Sequence, residues 1–141
     1  MVDTRTEMNN ALKEIVVPVL RKIGFKGTFP HFYRERNQHV DLLSFQFNLN
    51  GGSFVAELSF AEPSRKNVYI YKETSANKLR VSQTSKRLRL GALDSDTDNW
   101  FSFDSVGILK RRPKYREIAS QVVRLVELQA ISWWDENRQE E

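Results

Sequence analysis

From Met8 the apolar residues recur every three or four positions: Met8, Ala11, Leu12, Ile15, Val16, Val19, Leu20 and Ile23. That spacing draws one stripe down a helix of period 3.6 and predicts an N-terminal helix with one buried face. Thr4 and Glu7 stand in the spacing of a capping box, in which each side chain satisfies the other residue's free backbone N–H. Gly24 suits a left-handed cap at the far end. Pro18 lies inside the stripe and predicts a kink or break after the second turn, because proline lacks the N–H and crowds the preceding turn.

The period then changes to two. "TFPHFYRER" from Thr28, "HVDLLSFQFNLN" from His39 and "SFVAELSFA" from Ser53 alternate apolar and polar residues and predict three strands. Folding the second and third about Gly51-Gly52 as a two-residue turn pairs Leu49 with Phe54, Phe47 with Ala56, Phe45 with Leu58 and Leu43 with Phe60. The opposite face then receives Gln46 against Glu57 and Ser44 against Ser59. A first hairpin about Asn37-Gln38 sets Phe32 opposite Leu43, Tyr33 opposite Leu42 and His31 opposite Ser44. One face is apolar. The other carries His31, Tyr33, Ser44, Gln46, Glu57 and Ser59, and is open or partly covered by the polar segment that follows.

Glu62 to Ser85 is polar and loop-like, with short strands suggested at Val68–Tyr71 and Leu79–Val81. "RLRLG" (Arg87–Gly91) and "NWFSF" (Asn99–Phe103) read as two extended pieces flanking an acidic turn. Pro113 lies near the start of a last helix, whose stripe is Tyr115, Ile118, Ala119, Val122, Leu125, Val126 and Trp133. The order helix, antiparallel meander, helix predicts an α+β fold, with the N- and C-terminal helices packed on one face of the sheet as a two-layer sandwich. We read one domain over residues 1–141, with a core from about 4 to 134 and an acidic tail from 135 to 141.

Composition narrows the chemistry. No cysteine occurs, which excludes disulfides, thiolate nucleophiles and cysteine-based zinc sites. The polar opening "MVDTRTEMNN" lacks an apolar signal core, and no run approaches a membrane helix, so a cytoplasmic protein without membrane contact is expected. The net charge of +4 is unevenly placed. Between Glu62 and Gly91, Arg65, Lys66, Lys72, Lys78, Arg80, Lys86, Arg87 and Arg89 face only Glu62 and Glu73. A second basic run, "KRRPKYR", spans Lys110–Arg116 and includes Arg111 and Arg112.

"GFKGTFPHFYRE" from Gly24, Gln46 in the second strand, "RLRLG" at Arg87–Gly91 and "NWF" at Asn99–Phe101 occur in the order and spacing of a known pattern. Over roughly Met8 to Trp134 the chain resembles a bacterial family known only as domain of unknown function 4304. That resemblance implies a small α+β domain and no established activity.

Asp94, Asp96 and Asp98 match positions one, three and five of a calcium loop. Asn99 stands where glycine must turn the chain, and Ser105 where the bidentate glutamate belongs, so we read a solvated acidic turn and expect no metal or cofactor. Trp100 and Phe103 would anchor the segment after it. His31, Ser44 and Glu57 invite a relay, yet no nucleophile elbow or oxyanion donors accompany them. No catalytic residues are assigned.

The candidate binding residues are His31, Tyr33, Gln46 and Glu57 on the polar face, and Arg87 and Arg89 pointing one way from an extended segment. Lys110, Arg111, Arg112 and Trp134, which is either packed on the first helix or partly exposed beside Trp133, complete the set. The first reading is a non-enzymatic binding module acting through protein–protein contacts, for instance an immunity-type protein that captures a toxin electrostatically. The second is a nucleic-acid-associated protein using the basic loop. The third is an anion- or phosphate-handling enzyme using Arg87, Arg89 and Glu57.

Overall fold

The computed structural model describes residues 3–36, 39–62, 76–84, 86–103 and 114–137. The chain opens with α1 (Thr4–Ala11), passes through a π-turn (Leu12–Val16) and continues as α2 (Val17–Lys22). The cap is Asp3, whose carboxylate accepts the Arg5 N–H; Thr4 is already helical, so the Thr4–Glu7 capping box does not form. The helix does not break at Pro18. The wider π-turn comes just before it, and Pro18 falls in the first turn of α2, where no intrahelical N–H is required. At the far end the Phe25 N–H reaches the Leu20 carbonyl and the Gly24 N–H that of Arg21, closing the helix in a Schellman motif.

The sheet is antiparallel in the order β1 (Lys26–Thr28), β2 (His31–Arg36), β3 (His39–Phe47), β4 (Ser53–Ala61), β5 (Arg87–Arg89), with β6 (Phe101–Ser102) also on β4. The predicted first strand is thus two, folded at Phe29-Pro30, which joins Thr28 to His31. Between β2 and β3 the expected register holds: His31 faces Ser44, Phe32 faces Leu43 and Tyr33 faces Leu42.

Between β3 and β4 it is displaced by two residues. Phe47 faces Phe54, Phe45 faces Ala56, Leu43 faces Leu58 and Ser44 faces Glu57. The connection is longer than two residues. Asn48 and Ser53 close it with a backbone bond of 2.9 Å, the Asn48 side chain accepts the Asn50 N–H, and Gly51 and Gly52 both take positive φ. Leu49, expected inside, sits in this loop fully exposed (100 %). A two-residue slip preserves which side chains share a face, so the apolar face survived the error and only the cross-strand partners changed.

Both helical arms cover that face. Met8, Leu12, Val16 and Leu20 from the first, and Ala119, Val122, Val126 and Ala130 from the last, pack on Phe32, Leu43, Phe45, Phe54 and Leu58. The last arm runs through α3 (Tyr115–Leu125), a π-turn (Val126–Ala130) and α4 (Ile131–Asn137). The π-turn changes the helical phase. An α-helix turns about 100° per residue, so positions four apart drift around the axis; the wider turn brings Val126, Ala130 and Trp134 into line. Trp134 is therefore the inward residue (0 % exposed) and Trp133 only half-buried, the reverse of the expected stripe.

On the outer face, turns at Ala76–Lys78 and Val81–Gln83 lay Leu79 and Val81 over Val40, Leu42 and Ala61. Leu79–Val81 is thus not a strand; the suggested strand Val68–Tyr71 lies outside the described residues. No described helix is long and apolar enough to cross a membrane.

Candidate functional site

The antiparallel registers place four polar residues in one row across the outer face: His31 on β2, Ser44 on β3, Glu57 on β4 and Arg89 on β5. Gln46 faces Val55 instead of Glu57, a consequence of the longer hairpin loop. Glu57 is held from the other side, with Arg89 Nε donating to its Oε2 at 2.9 Å. Arg89 also lies 3.3 Å from Asp98 and stacks over Trp100, 5.7 Å from the ring centroid. Trp100 therefore covers Arg89 from a partly solvated position (43 % exposed), and Phe101 and Phe103 anchor the segment in its place.

Arg87 points from β5 to the same side as Arg89 but serves its own chain. Its Nε donates to the Thr84 carbonyl at 3.0 Å, and Nη2 to the Thr84 and Ser82 carbonyls at 2.9 and 3.1 Å. Arg80 is fastened likewise, with Nη1 donating to the Asn77 and Leu79 carbonyls. Neither guanidinium has a carboxylate within ion-pair distance among the described residues. Their charge is held in place by backbone carbonyls and has no carboxylate partner among the described residues.

These residues floor and wall two adjoining depressions. One, of about 730 Å³, is lined by Arg5, Phe29, His31, Ser44, Gln46, Leu49, Arg80 and Arg87 among others. The second, of about 750 Å³, runs from Glu57 and Arg87 past Lys86 and Arg89 to the turn Ser95–Asp98. Burial first, and then the positive charge of Arg80, hold His31 below its ordinary pKa. Its Nδ1 is buried without a hydrogen-bond partner among the described residues.

A Ser–His–Glu relay does not assemble. The row places Ser44 between His31 and Glu57, whereas a relay needs the imidazole in the middle, and Glu57 is committed to Arg89. The aspartates form a turn: the Asp96 N–H bonds Asp94 Oδ1 at 2.9 Å, Thr97 bonds the Asp94 carbonyl, and Asp98 faces Arg89. Among the described residues no cluster of three or more metal-ligating side chains occurs.

Trp134, expected either packed on the first helix or partly exposed as an interface residue, is a core residue. Its indole N–H donates to the Ser59 carbonyl at 3.0 Å, and its ring meets Phe25 at 4.8 Å. Tyr33 packs half-buried against the Leu42–Leu79 cluster. Lys110, Arg111 and Arg112 lie outside the described residues. Lys114 and Arg116 of the same run are paired, with Glu117 at 3.7 Å and Glu14 at 2.9 Å.

The sequence reading missed a buried ionic cluster at the helix-covered end of the sheet. Asp41 (0 % exposed) receives Arg34 Nε at 2.9 Å, with Arg34 Nη2 at 2.8 Å from the same oxygen. His39 Nε2 lies 3.0 Å from the other oxygen, Oδ1, whereas Arg36 Nε lies 3.6 Å from Oδ2, the oxygen that Arg34 contacts. Arg34 Nη2 and His39 Nε2 approach off the hydrogen-bond direction; the first is a charge contact and the second a close polar approach. Arg36 reaches Asp135 of α4 at 2.6 Å, and Arg34 Nη1 reaches the Ile23 carbonyl, so the cluster ties both helical arms to the sheet. A signal was available: the register that sets His31 against Ser44 also sets Arg34 against Asp41 and Arg36 against His39.

A family model described as a domain of unknown function (DUF4304) matches residues 16–136. The chain belongs to the DUF4304 family. The matched range holds the whole sheet, the ionic cluster and every wall of the outer-face depressions except Arg5 and Asn9 of α1. No curated protein and no solved structure matches the chain.

Proposed function

We propose that this DUF4304 protein is a non-enzymatic binding module, working in the cytoplasm through protein–protein contacts on the outer face of its sheet. The observation that carries this reading is the mixed character of the 730 Å³ depression: fixed guanidinium groups, neutral polar groups and a fully exposed leucine share one concavity. Protein surfaces meet such a site with complementary charge at the rim and an apolar anchor. Catalysis would need a nucleophile, a base and an orienting group in sequence; the row His31–Ser44–Glu57–Arg89 has the wrong order for it.

The test is a pull-down with the tagged full chain from native lysate, with and without nuclease, read by mass spectrometry. A stoichiometric protein partner that survives nuclease and is lost with Leu49→Asp supports the reading. Material that disappears with nuclease, or the lack of any stoichiometric protein, overturns it.

A further inference from the structure

We infer that the depression floored by Ser44 and Gln46 takes an acidic segment of a partner protein, its carboxylates meeting Arg80 and Arg87 and an apolar side chain meeting Leu49. This inference rests on the protein-contact reading and adds the chemistry of the partner.

Charge complementarity is the first argument. Three guanidinium groups line this depression, Arg5 from α1, Arg80 from the outer turns and Arg87 from β5, against one carboxylate, Glu57. Glu57 is already neutralised by Arg89 at 2.9 Å. The three arginines have no carboxylate within ion-pair distance among the described residues. Burial first, and then the charge of Arg80, lower the pKa of His31, and the second of these reflects the same positive potential.

Preorganisation is the second argument. Arg80 and Arg87 are each held by two backbone carbonyls, so most of their rotamer freedom is already spent before a ligand arrives. A planar guanidinium fixed in this way presents its remaining N–H groups to a carboxylate in a set direction.

The third argument selects a peptide over a nucleic acid. Binding of single strands relies on free aromatic faces for the bases. Here Phe29 has Phe45 stacked at 5.4 Å and Lys13 at 5.5 Å from its centroid. Phe47 has Arg5 over its ring at 5.0 Å, and Phe45 is buried. The exposed Leu49 at the same rim suits an apolar side chain.

The test uses selection from a random peptide library displayed on phage, with the immobilised full chain as bait and Gln46→Glu as counter-bait. Gln46 is exposed and makes no side-chain bond among the described residues, so Gln46→Glu changes the charge of the floor without cutting a structural contact. The expected pool is net acidic with an apolar residue, and its affinity falls at least tenfold with Gln46→Glu. Arg80→Gln gives a fall of the same order, in a variant whose circular dichroism is unchanged. Selected peptides that are neutral or basic, no enrichment, or equal binding to Gln46→Glu overturn the inference. A nuclease-resistant protein partner whose binding ignores Gln46→Glu overturns it while leaving the protein-contact reading standing. Tighter binding of a single-stranded oligonucleotide than of the selected peptides overturns both.

Discussion

Asp41→Asn isolates the charge at the centre of the buried cluster while keeping the shape of the side chain. The carboxylate is fully buried and faces Arg34 at 2.8–2.9 Å, His39 at 3.0 Å and Arg36 at 3.6 Å. Arg36 keeps a second carboxylate in Asp135, whereas Arg34 has, among the described residues, the Ile23 carbonyl and the faces of Phe25 and Trp134 left. A buried guanidinium would thus lose its counter-charge in a site almost closed to water. Removing one partner of such a pair costs about 3–5 kcal/mol, a large share of the roughly 5–15 kcal/mol that stabilises a domain. With a urea dependence of about 2 kcal/mol per molar, the midpoint falls by about 2 M. The assay is urea unfolding followed by tryptophan fluorescence, since Trp134 lies against Arg34. Replacing the pair together, Arg34→Met with Asp41→Leu, should cost less than Asp41→Asn alone, because no stranded charge remains. A loss below about 1 kcal/mol for Asp41→Asn, or a double variant worse than the single one, would refute the reasoning.

Trp134→Phe should lower stability by about 2 kcal/mol, because the indole hydrogen bond to the Ser59 carbonyl and part of the buried ring are lost, while Trp133→Phe should cost less than about 1 kcal/mol; paired thermal melts check the order. Gln129→Ala removes a clasp in which Gln129 accepts the Gly91 N–H at 2.6 Å and donates to the Ala92 carbonyl at 2.8 Å, and hydrogen exchange at Gly91 should quicken at least tenfold. His31→Gln should flatten the pH dependence of stability below neutrality. The folded chain binds the His31 proton less readily than the unfolded chain, so wild-type stability is full above about pH 6.5 and declines as pH falls toward the lowered native value. Urea midpoints of both proteins between pH 5 and 7.5 give the comparison, and parallel curves would contradict the assignment.

Periodicity alone determined the two helical arms at the ends of the chain, the strands of the central hairpins, the α+β class and the face of the sheet that takes the helices. Those properties follow from repeats of 3.6 and 2, which any residue can read from its near neighbours. The β2–β3 register followed the same way, and with it half of the outer-face row. The partner of Glu57 did not. It depended on a loop whose length is set by Asn48 capping and two left-handed glycines, and a slip of two residues leaves no trace in the hydrophobic pattern. The inward placement of Trp134 depended on a π-turn, which is a response to packing and carries no composition of its own. Which arginines are spent and which are free was decided only in three dimensions. Arg87 and Arg89 alternate identically along β5, yet Arg87 folds back onto the Thr84 and Ser82 carbonyls just before it, while Arg89 meets Glu57, which only the pairing of β4 with β5 brings to it.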